Sequence, residues 1–220
     1  MIRAVFFDLD GTLLDTAPDM AACLNTLLEE AGRAPLPLGR IRPVVSHGAT
    51  ALVRLGFGLG PEDGEAFERL RRRFLALYRR RLAHETRLFP GMEAVLEALE
   101  GEGRCWGVVT NKPARFTEPL LNALGLDTRA ACIVSGDTAP ARKPDPRPLL
   151  HACGVAGVLP EECVYVGDAR RDVEAAHAAG MPAAVALFGY IGEADDPAAW
   201  GADALIETPA TLLDWVRSHG

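Results

Sequence analysis

An apolar segment near the start of the chain runs directly into two aspartates and a glycine. Residues 4–7 read Ala-Val-Phe-Phe, which is typical of a strand buried on both faces of a parallel sheet. Asp8 and Asp10 follow at a spacing that places both carboxylates on one side of the strand end. Two like charges this close raise each other's pKa unless a cation lies between them, so the pair indicates a metal, a shared proton, or both.

The spacing of Asp8 and Asp10 also suits catalysis. One carboxylate can attack a substrate while the other handles the proton of the leaving group. Gly11 permits a tight backbone turn, and the hydroxyl of Thr12 is expected to hydrogen-bond within that turn. An Asp-x-Asp pair taken alone also fits a loop that carries two solvated acids.

Three further polar elements lie at or just beyond the ends of apolar segments. Thr110 and Asn111 precede a helical pattern, and a threonine before a helix N-terminus is a good oxyanion ligand. Lys143, one of only two lysines, lies in a proline-rich loop, where an ammonium would neutralise a phosphoryl oxygen or a carboxylate. Asp168 and Asp172 offer only oxygen ligands, which favours magnesium over zinc. Each element also fits a helix cap or a surface residue when taken singly, but together they predict one site at one sheet edge.

Strand patterns alternate with helical patterns along most of the chain, which predicts an α/β fold with a doubly wound parallel sheet. Pro113 suits the first turn of one of these helices. The predicted strands are 2–7, 105–110, 131–134, 163–167, 183–187 and 204–206, and the predicted helices between them are 92–100, 117–124, 146–153 and 172–179.

The segment from about residue 17 to residue 84 breaks this alternation and reads almost wholly helical. Helices are predicted at 18–31, 39–55 and 65–82. We therefore predict an α/β core formed by 1–16 and 85–220 and an inserted all-helical segment formed by 17–84.

The four polar elements together resemble the motifs of the haloacid dehalogenase (HAD) superfamily phosphatases. The resemblance rests on Asp8-x-Asp10-x-Thr12, then Thr110, then Lys143, then Gly167-Asp168-x-x-x-Asp172. Residues 7–16 resemble those of the phosphoglycolate phosphatases. The segments 106–113, 115–116, 189–191 and 200–203 resemble, more narrowly, the N-acetylmuramic acid 6-phosphate phosphatases. The resemblance implies that 1–16 and 85–220 form a Rossmann-like catalytic core and that 17–84 form a helical cap domain. Such a cap would close over the site, exclude water and select the substrate.

The resemblance also implies a role for each motif residue. Asp8 would be the nucleophile that forms an aspartyl-phosphate. Asp10 would protonate the leaving alcohol and then activate the hydrolytic water. Thr110 and Asn111 would bind phosphoryl oxygens, while Lys143 would hold Asp8 and the phosphoryl group together. The implied ligands of Mg²⁺ are Asp8, the carbonyl of Asp10, Asp168 and, directly or by orienting a ligand, Asp172.

Residues that contact substrate from the cap are harder to locate. Ser46, His47 and Gly48 interrupt a helical stretch and are candidates to face the substrate, although a helix break with a surface histidine fits the same pattern. Arg54 is a candidate for a substrate carboxylate, which a guanidinium binds bidentately. The arginines at 69, 71–73 and 79–81 predict the solvated basic face of an amphipathic helix.

Composition limits partners and location. The net charge of −7 and the lack of a terminal basic run argue against nucleic acid as a partner. The five scattered cysteines favour reduced thiols, and neither a signal peptide nor a membrane-length apolar stretch is evident. We expect a cytoplasmic protein that acts on a small phosphate ester, without a membrane or an obligatory protein partner.

The sequence leaves several functions open. The favoured one is a phosphomonoesterase acting on a small carboxylate-bearing ester, with N-acetylmuramic acid 6-phosphate preferred as substrate and a place in peptidoglycan recycling. One alternative is a 2-phosphoglycolate phosphatase. Others are a phosphosugar mutase on the same scaffold and a non-enzymatic metal-binding module, against which the intact motif residues argue.

Overall fold

The computed structural model describes residues 1–218 and has a parallel sheet at its centre. The strands are β1 (Ala4–Phe7), β2 (Leu14–Asp15), β3 (Arg87–Leu88), β4 (Cys105–Val109), β5 (Ile133–Val134), β6 (Cys163–Gly167), β7 (Ala183–Ala186) and β8 (Ala204–Ile206). Six of them form one sheet in the order β5-β4-β1-β6-β7-β8, in which every neighbouring pair is parallel. This order confirms the predicted α/β class.

The helices surround the sheet and fill the segment between β2 and β3. They are α1 (Ala17–Glu30), α2 (Leu38–Ile41), α3 (Gly48–Phe57), α4 (Glu65–Arg81), α5 (Met92–Gly101), α6 (Ala114–Ala123), α7 (Arg147–Ala156), α8 (Arg170–Ala178) and α9 (Pro209–Ser218). A 3-10 helix at Arg42–His47 connects α2 to α3.

Alternate side chains of the central strands enter two separate apolar clusters on opposite faces of the sheet. In β1, Val5 and Phe7 face one cluster and Phe6 faces the other. The first cluster takes in residues of α5, α6 and α9, and the second takes in residues of α7 and α8. Burial on both faces explains why these strands read as continuous apolar runs rather than alternating ones.

The helices α1 to α4 form the inserted helical segment that the sequence predicts. The first apolar cluster continues into this segment through residues such as Leu24 of α1 and Phe74 of α4. The short antiparallel pair β2–β3 joins the entry and exit of the segment, with Leu14 opposite Leu88. The division into a core of 1–16 plus 85–220 and a cap of 17–84 stays a prediction.

The structure corrects several local predictions. The helix after β4 begins at Ala114, and Pro113 precedes it in an extended conformation as the N-cap. The single helix predicted for 39–55 is divided into α2, the 3-10 helix and α3. The sequence analysis gave no signal for α9 or for the β2–β3 pair. Within residues 1–218, no helix combines the length and the apolar character needed to cross a bilayer.

Candidate active site

The functional side chains converge where the central strands end. Phe7 of β1 pairs with Val108 of β4 on one side and with Val166 of β6 on the other. Because the three strands are parallel and in this register, the residues that follow them emerge side by side at the carboxyl edge. Asp8, Thr110 and Asp168 are therefore brought together, although about a hundred residues separate the first from the second.

Asp8 is buried and is held by a lysine and by its own backbone. Its Oδ1 lies 3.1 Å from Nζ of Lys143 and accepts a hydrogen bond of 2.7 Å from the amide of Leu9. Burial acts to raise the pKa of Asp8, but Lys143, Arg171 and the hydrogen bonds from Leu9 and Thr110 together hold that pKa below its usual value. The carboxylate is thus kept ionised, as a nucleophile requires.

Two more carboxylates stand beside Asp8. Oxygens of Asp8, Asp168 and Asp172 all lie within 4.8 Å of one another. Oδ1 of Asp172 also lies 2.8 Å from Nζ of Lys143, whereas Oδ1 of Asp168 is buried without a hydrogen-bond partner in residues 1–218. Burial, together with the charges of Asp8 and Asp172, raises the pKa of Asp168 to about 7.

These observations fit a hard divalent cation. An orphaned buried carboxylate oxygen is costly, and oxygen-only ligands suit Mg²⁺ or Ca²⁺ rather than zinc. Two cations, Lys143 and Arg171, are among the main influences on the pKa of Asp8. The acidic cluster can therefore hold a metal ion.

Close packing around Asp168 depends on a glycine in the catalytic loop. Gly11 has φ of +84°, and a Cβ at this position would come within 2.0 Å of Oδ2 of Asp168. Both the positive φ and the close approach require glycine. The predicted hydrogen bond from Thr12 is wrong, because its hydroxyl is buried and has no hydrogen-bond partner among the described residues.

The loop after β4 carries Thr110, a candidate to bind phosphate, and contacts the loop that carries Lys143. The side chain of Thr110 contributes a hydrogen bond that lowers the pKa of Asp8. The amide group of Asn111 donates to the carbonyl oxygen of Lys143 and accepts from its backbone nitrogen, both at 2.9 Å. Asn111 lines the pocket, but its side chain is engaged in positioning Lys143.

Asp10 has a separate set of partners. Its Oδ1 accepts a hydrogen bond of 2.7 Å from the hydroxyl of Thr16. Nζ of Lys112 lies 2.9 and 3.0 Å from the two carboxylate oxygens and donates to the hydroxyl of Tyr78 at 2.8 Å. The carboxylate of Asp10 is not a member of the metal cluster, so its predicted role as a ligand depends on its carbonyl.

The 3-10 helix of the inserted segment reaches the acidic cluster. The hydroxyl of Ser46 donates to Oδ2 of Asp168 at 2.9 Å and to the carbonyl of Asp10 at 3.3 Å. His47 and Gly48 line the same pocket, and Gly48, with φ of +74°, starts α3. Desolvation and then Arg171 lower the pKa of His47, against the opposing charge of Asp195.

The pocket has a volume of about 390 Å³ and is rich in basic side chains. Arg171 from α8, Arg71 from α4 and Arg115 from α6 all line it. Arg54 does not line it and pairs instead with exposed Glu62 at 2.7 Å, so the structure does not bring this predicted residue to the site.

Comparison with known proteins decides the family. The sequence profile of the haloacid dehalogenase-like hydrolases matches residues 5–186. The chain belongs to this family. Its HAD motifs and its fold agree with those that the sequence predicted.

Curated relatives of this HAD-like hydrolase carry two names. The chain is 47% identical to the phosphoglycolate phosphatase of Xylella fastidiosa, over 96% of this chain and 91% of that protein. It is 43% identical to the N-acetylmuramic acid 6-phosphate phosphatase of Pseudomonas aeruginosa, over 97% of this chain and 94% of that protein. A solved structure, that of a predicted phosphoglycolate phosphatase from Haemophilus somnus 129pt, matches with a TM-score of 0.85 and 29% identity over 97% of each chain.

Sequence reasoning missed four residues of this HAD-like hydrolase site. Lys112 is the other of the two lysines, and Arg171 lies between Asp168 and Asp172 of the last motif. The sequence could therefore have indicated both residues. Arg71 belongs to the face predicted to be solvated, and Tyr78 lies four residues beyond Phe74 on the apolar side of α4. Arg71 lines the pocket, and Arg81 of that same predicted face pairs with buried Asp19, so that face is not wholly solvated.

Proposed function

We propose that the protein is a Mg²⁺-dependent phosphomonoesterase that works through an aspartyl-phosphate on Asp8. The observation that carries this proposal is the environment of Asp8, an ionised carboxylate held by Lys143 at the base of a basic pocket. A nucleophile needs a charged form and a fixed direction, and a phosphoryl group needs cationic partners. The carboxylate of Asp8 is charged and held in a fixed direction. Lys143, Arg171 and Thr110 are the partners available to a phosphoryl group.

The reaction divides into two halves. In the first, an oxygen of Asp8 forms a bond to phosphorus, the bond from phosphorus to the leaving oxygen breaks, and a proton passes from Asp10 to that oxygen. In the second, water attacks the phosphorus, loses a proton to Asp10, and releases phosphate and Asp8. Asp8, Asp168, Asp172 and the Asp10 carbonyl would hold Mg²⁺. When bound, this ion would neutralise phosphoryl charge and orient the group.

We propose a small carboxylate-bearing ester as substrate, with N-acetylmuramic acid 6-phosphate favoured. The cavity of about 390 Å³ lies in the range used by ligands larger than a two-carbon ester, which supports a sugar phosphate. Arg71 and Arg115 line it beyond the groups that surround Asp8 and are suitable partners for a carboxylate. They replace Arg54 in this role. Under this proposal the enzyme takes part in peptidoglycan recycling.

A second candidate substrate is 2-phosphoglycolate, which also pairs a phosphate with a carboxylate. It is favoured by the relative from Xylella fastidiosa, 47% identical and named for that activity. A phosphosugar mutase would use the same aspartyl-phosphate but return the phosphoryl group to a sugar. Measuring both free phosphate and isomerised sugar separates the mutase from the phosphatase.

We further propose that the enzyme acts in the cytoplasm, without nucleic acid, a membrane or an obligatory protein partner. The net charge of −7 supports the absence of nucleic acid, and the five free cysteines support a reducing compartment.

The test is a phosphate-release panel with Mg²⁺ that contains N-acetylmuramic acid 6-phosphate, 2-phosphoglycolate and nucleoside monophosphates. We expect kcat/KM for the sugar phosphate to exceed the others. Higher kcat/KM for 2-phosphoglycolate would select the second candidate. Equal, slow turnover of all members would reject both specific substrates, and no release from any of them would reject the phosphatase.

A further inference from the structure

The chain contains two lysines, and each is buried against an aspartate of the active site and a tyrosine hydroxyl. Nζ of Lys143 lies 3.1 Å from Asp8 and donates to the hydroxyl of Tyr165 at 2.5 Å. Nζ of Lys112 contacts both carboxylate oxygens of Asp10 and the hydroxyl of Tyr78. The first set surrounds the proposed nucleophile. The second set surrounds Asp10, the proposed acid and base. The proposed function gives no role to Lys112 or Tyr78.

The contacts of Lys112 leave its ammonium with no donor to spare. An ammonium has three N–H groups, and three oxygens lie between 2.8 and 3.0 Å from Nζ. The side chain is only 6% exposed, and its Nζ also lies 4.6 Å from the centre of the Tyr78 ring. Burial acts to lower the pKa of Lys112, but Asp10 and Tyr78 outweigh it and raise that pKa, so the group remains charged.

Tyr78 makes this arrangement depend on the inserted helical segment. It belongs to α4, whereas Asp10 and Lys112 belong to the loops after β1 and β4. Its ring is 2% exposed and packs against Phe74 of α4 and Phe116 of α6. The Tyr78 hydroxyl can therefore contact Lys112 only while α4 packs next to the sheet edge. The matching hydroxyl, that of Tyr165, comes from strand β6 and does not depend on α4.

We propose that Lys112 and Tyr78 are positioning residues for proton transfer by Asp10. The inference rests on the proposed function. To protonate the leaving oxygen, Asp10 must present its proton in a fixed direction, and proton transfer is sensitive to displacements of about 1 Å. Lys112 and Thr16 together fix the direction of this carboxyl group.

This role has a signature that a structural role lacks. An ester with a poor leaving group needs the proton from Asp10, whereas an ester whose leaving anion is already stable does not. Phenyl phosphate and 4-nitrophenyl phosphate are close in size and differ in this respect. Any loss in phosphate binding on removal of the Lys112 charge is common to both esters and cancels in the ratio of their kcat/KM values. kcat/KM reports steps up to transfer onto Asp8, so the second half of the reaction does not enter.

The experiment compares Lys112→Met and Tyr78→Phe with Tyr165→Phe, using both phenyl esters and the full chain with Mg²⁺. We expect Lys112→Met to lower kcat/KM for phenyl phosphate about 100-fold more than for 4-nitrophenyl phosphate. Tyr78→Phe, which keeps the ring, should change the same ratio by about fivefold. Tyr165→Phe acts through Lys143 and Asp8, so it should lower kcat/KM for both esters by the same factor.

Equal losses on both esters in Lys112→Met and Tyr78→Phe would overturn the inference, as would an altered ratio in Tyr165→Phe of the same size. If Lys112→Met fails to fold by circular dichroism, Tyr78→Phe and Lys112→Arg decide the question through the same ratio. A wild-type protein that releases no phosphate from any ester would instead overturn the proposed function, so the two failures are distinguishable.

Discussion

The parallel-sheet region and the inserted helical segment contribute residues of different character to the candidate active site. The groups of the sheet edge are deeply buried: Asp8 is 4% exposed, Lys143 3%, Asp168 2% and Asp172 1%. The helical segment contributes Arg71, whose side chain is 35% exposed, and His47, which is exposed. The groups proposed to perform chemistry thus lie in the buried sheet edge, and the groups proposed to meet a substrate lie in the more exposed helical segment.

The two lysines sharpen this contrast. Lys143 and its tyrosine both belong to the sheet region, while Lys112 belongs to the sheet region and its tyrosine to the helical segment. The proposed nucleophile, Asp8, is therefore supported from one region, and the proposed acid and base, Asp10, from both. Substitutions and changes of pH can test this division, and we expect the largest effect at the nucleophile.

Asp8→Asn should reduce the rate of phosphate release by at least about 10⁴-fold, because an amide cannot serve as the nucleophile. Phosphate release with Mg²⁺ measures the loss, and circular dichroism verifies the fold. Asp214→Asn, at an exposed acid of α9, is the matched control and should retain full activity. Retained turnover in Asp8→Asn would mean that the nucleophile is not this residue of the sheet edge.

The chelated protein should lose stability as pH rises from about 4 to about 7. The pKa of Asp168 in the folded state is about 7 against 3.8 in the unfolded chain, so the folded state binds more protons in this window. The expected loss in the free energy of unfolding is on the order of 4 kcal/mol. Urea unfolding at pH 4 and pH 8 measures it. Asp168→Asn removes the titrating group and should flatten this dependence.

Mg²⁺ should reverse that loss, because a bound cation favours the ionised carboxylates. Its stabilising effect on the wild-type protein should accordingly be larger at pH 8 than at pH 5. Equal stabilisation at both pH values would argue that the ion binds elsewhere.

Asp19→Ala should lower the free energy of unfolding by about 3 kcal/mol. Asp19 on α1 is fully buried, and its Oδ2 accepts hydrogen bonds from the amides of Glu85 and Thr86 and from the Thr86 hydroxyl, at 2.8–2.9 Å. Its Oδ1 accepts one from Arg81 at 3.1 Å. These bonds tie the exit of the helical segment to its first helix. Asp19→Asn keeps two acceptor lone pairs and should lose less.

Activity at saturating substrate shows whether Asp19 only holds the helical segment in place or also affects catalysis. Measured below the unfolding transition, kcat of Asp19→Ala should stay close to that of the wild-type protein. A large fall in kcat without a fall in stability would mean that Asp19 orders the pocket rather than the segment.

Arg71→Ala should raise KM for a carboxylate-bearing ester about tenfold and leave kcat nearly unchanged. Arg54→Ala is the matched control from the same helical segment, because Arg54 pairs with Glu62 outside the pocket. Steady-state kinetics on N-acetylmuramic acid 6-phosphate measures both. The opposite result, with Arg54→Ala raising KM, would restore the prediction made from sequence.

The sheet-edge part of the site was predictable because its residues come after apolar strands at fixed spacings. Asp8, Thr110 and Asp168 each succeed such a strand directly, and parallel strands bring the residues beyond their carboxyl ends to one edge. The contacts of Arg71 and Tyr78 were not predictable in this way. Helical periodicity gives the face that a residue occupies, but which residue the neighbouring loop meets depends on how the helix is packed.

The apolar runs, the glycine of the loop after β1 and the motif carboxylates determined the fold class and indicated the chemistry that we propose. They did so because burial on both faces and strand-end geometry are local consequences of residue type. The tertiary structure alone decided which cations serve which carboxylates: Lys143 for Asp8 and Asp172, Lys112 for Asp10. Charge pairing depends on distances of a few ångströms between residues far apart in the chain, and only packing sets those distances.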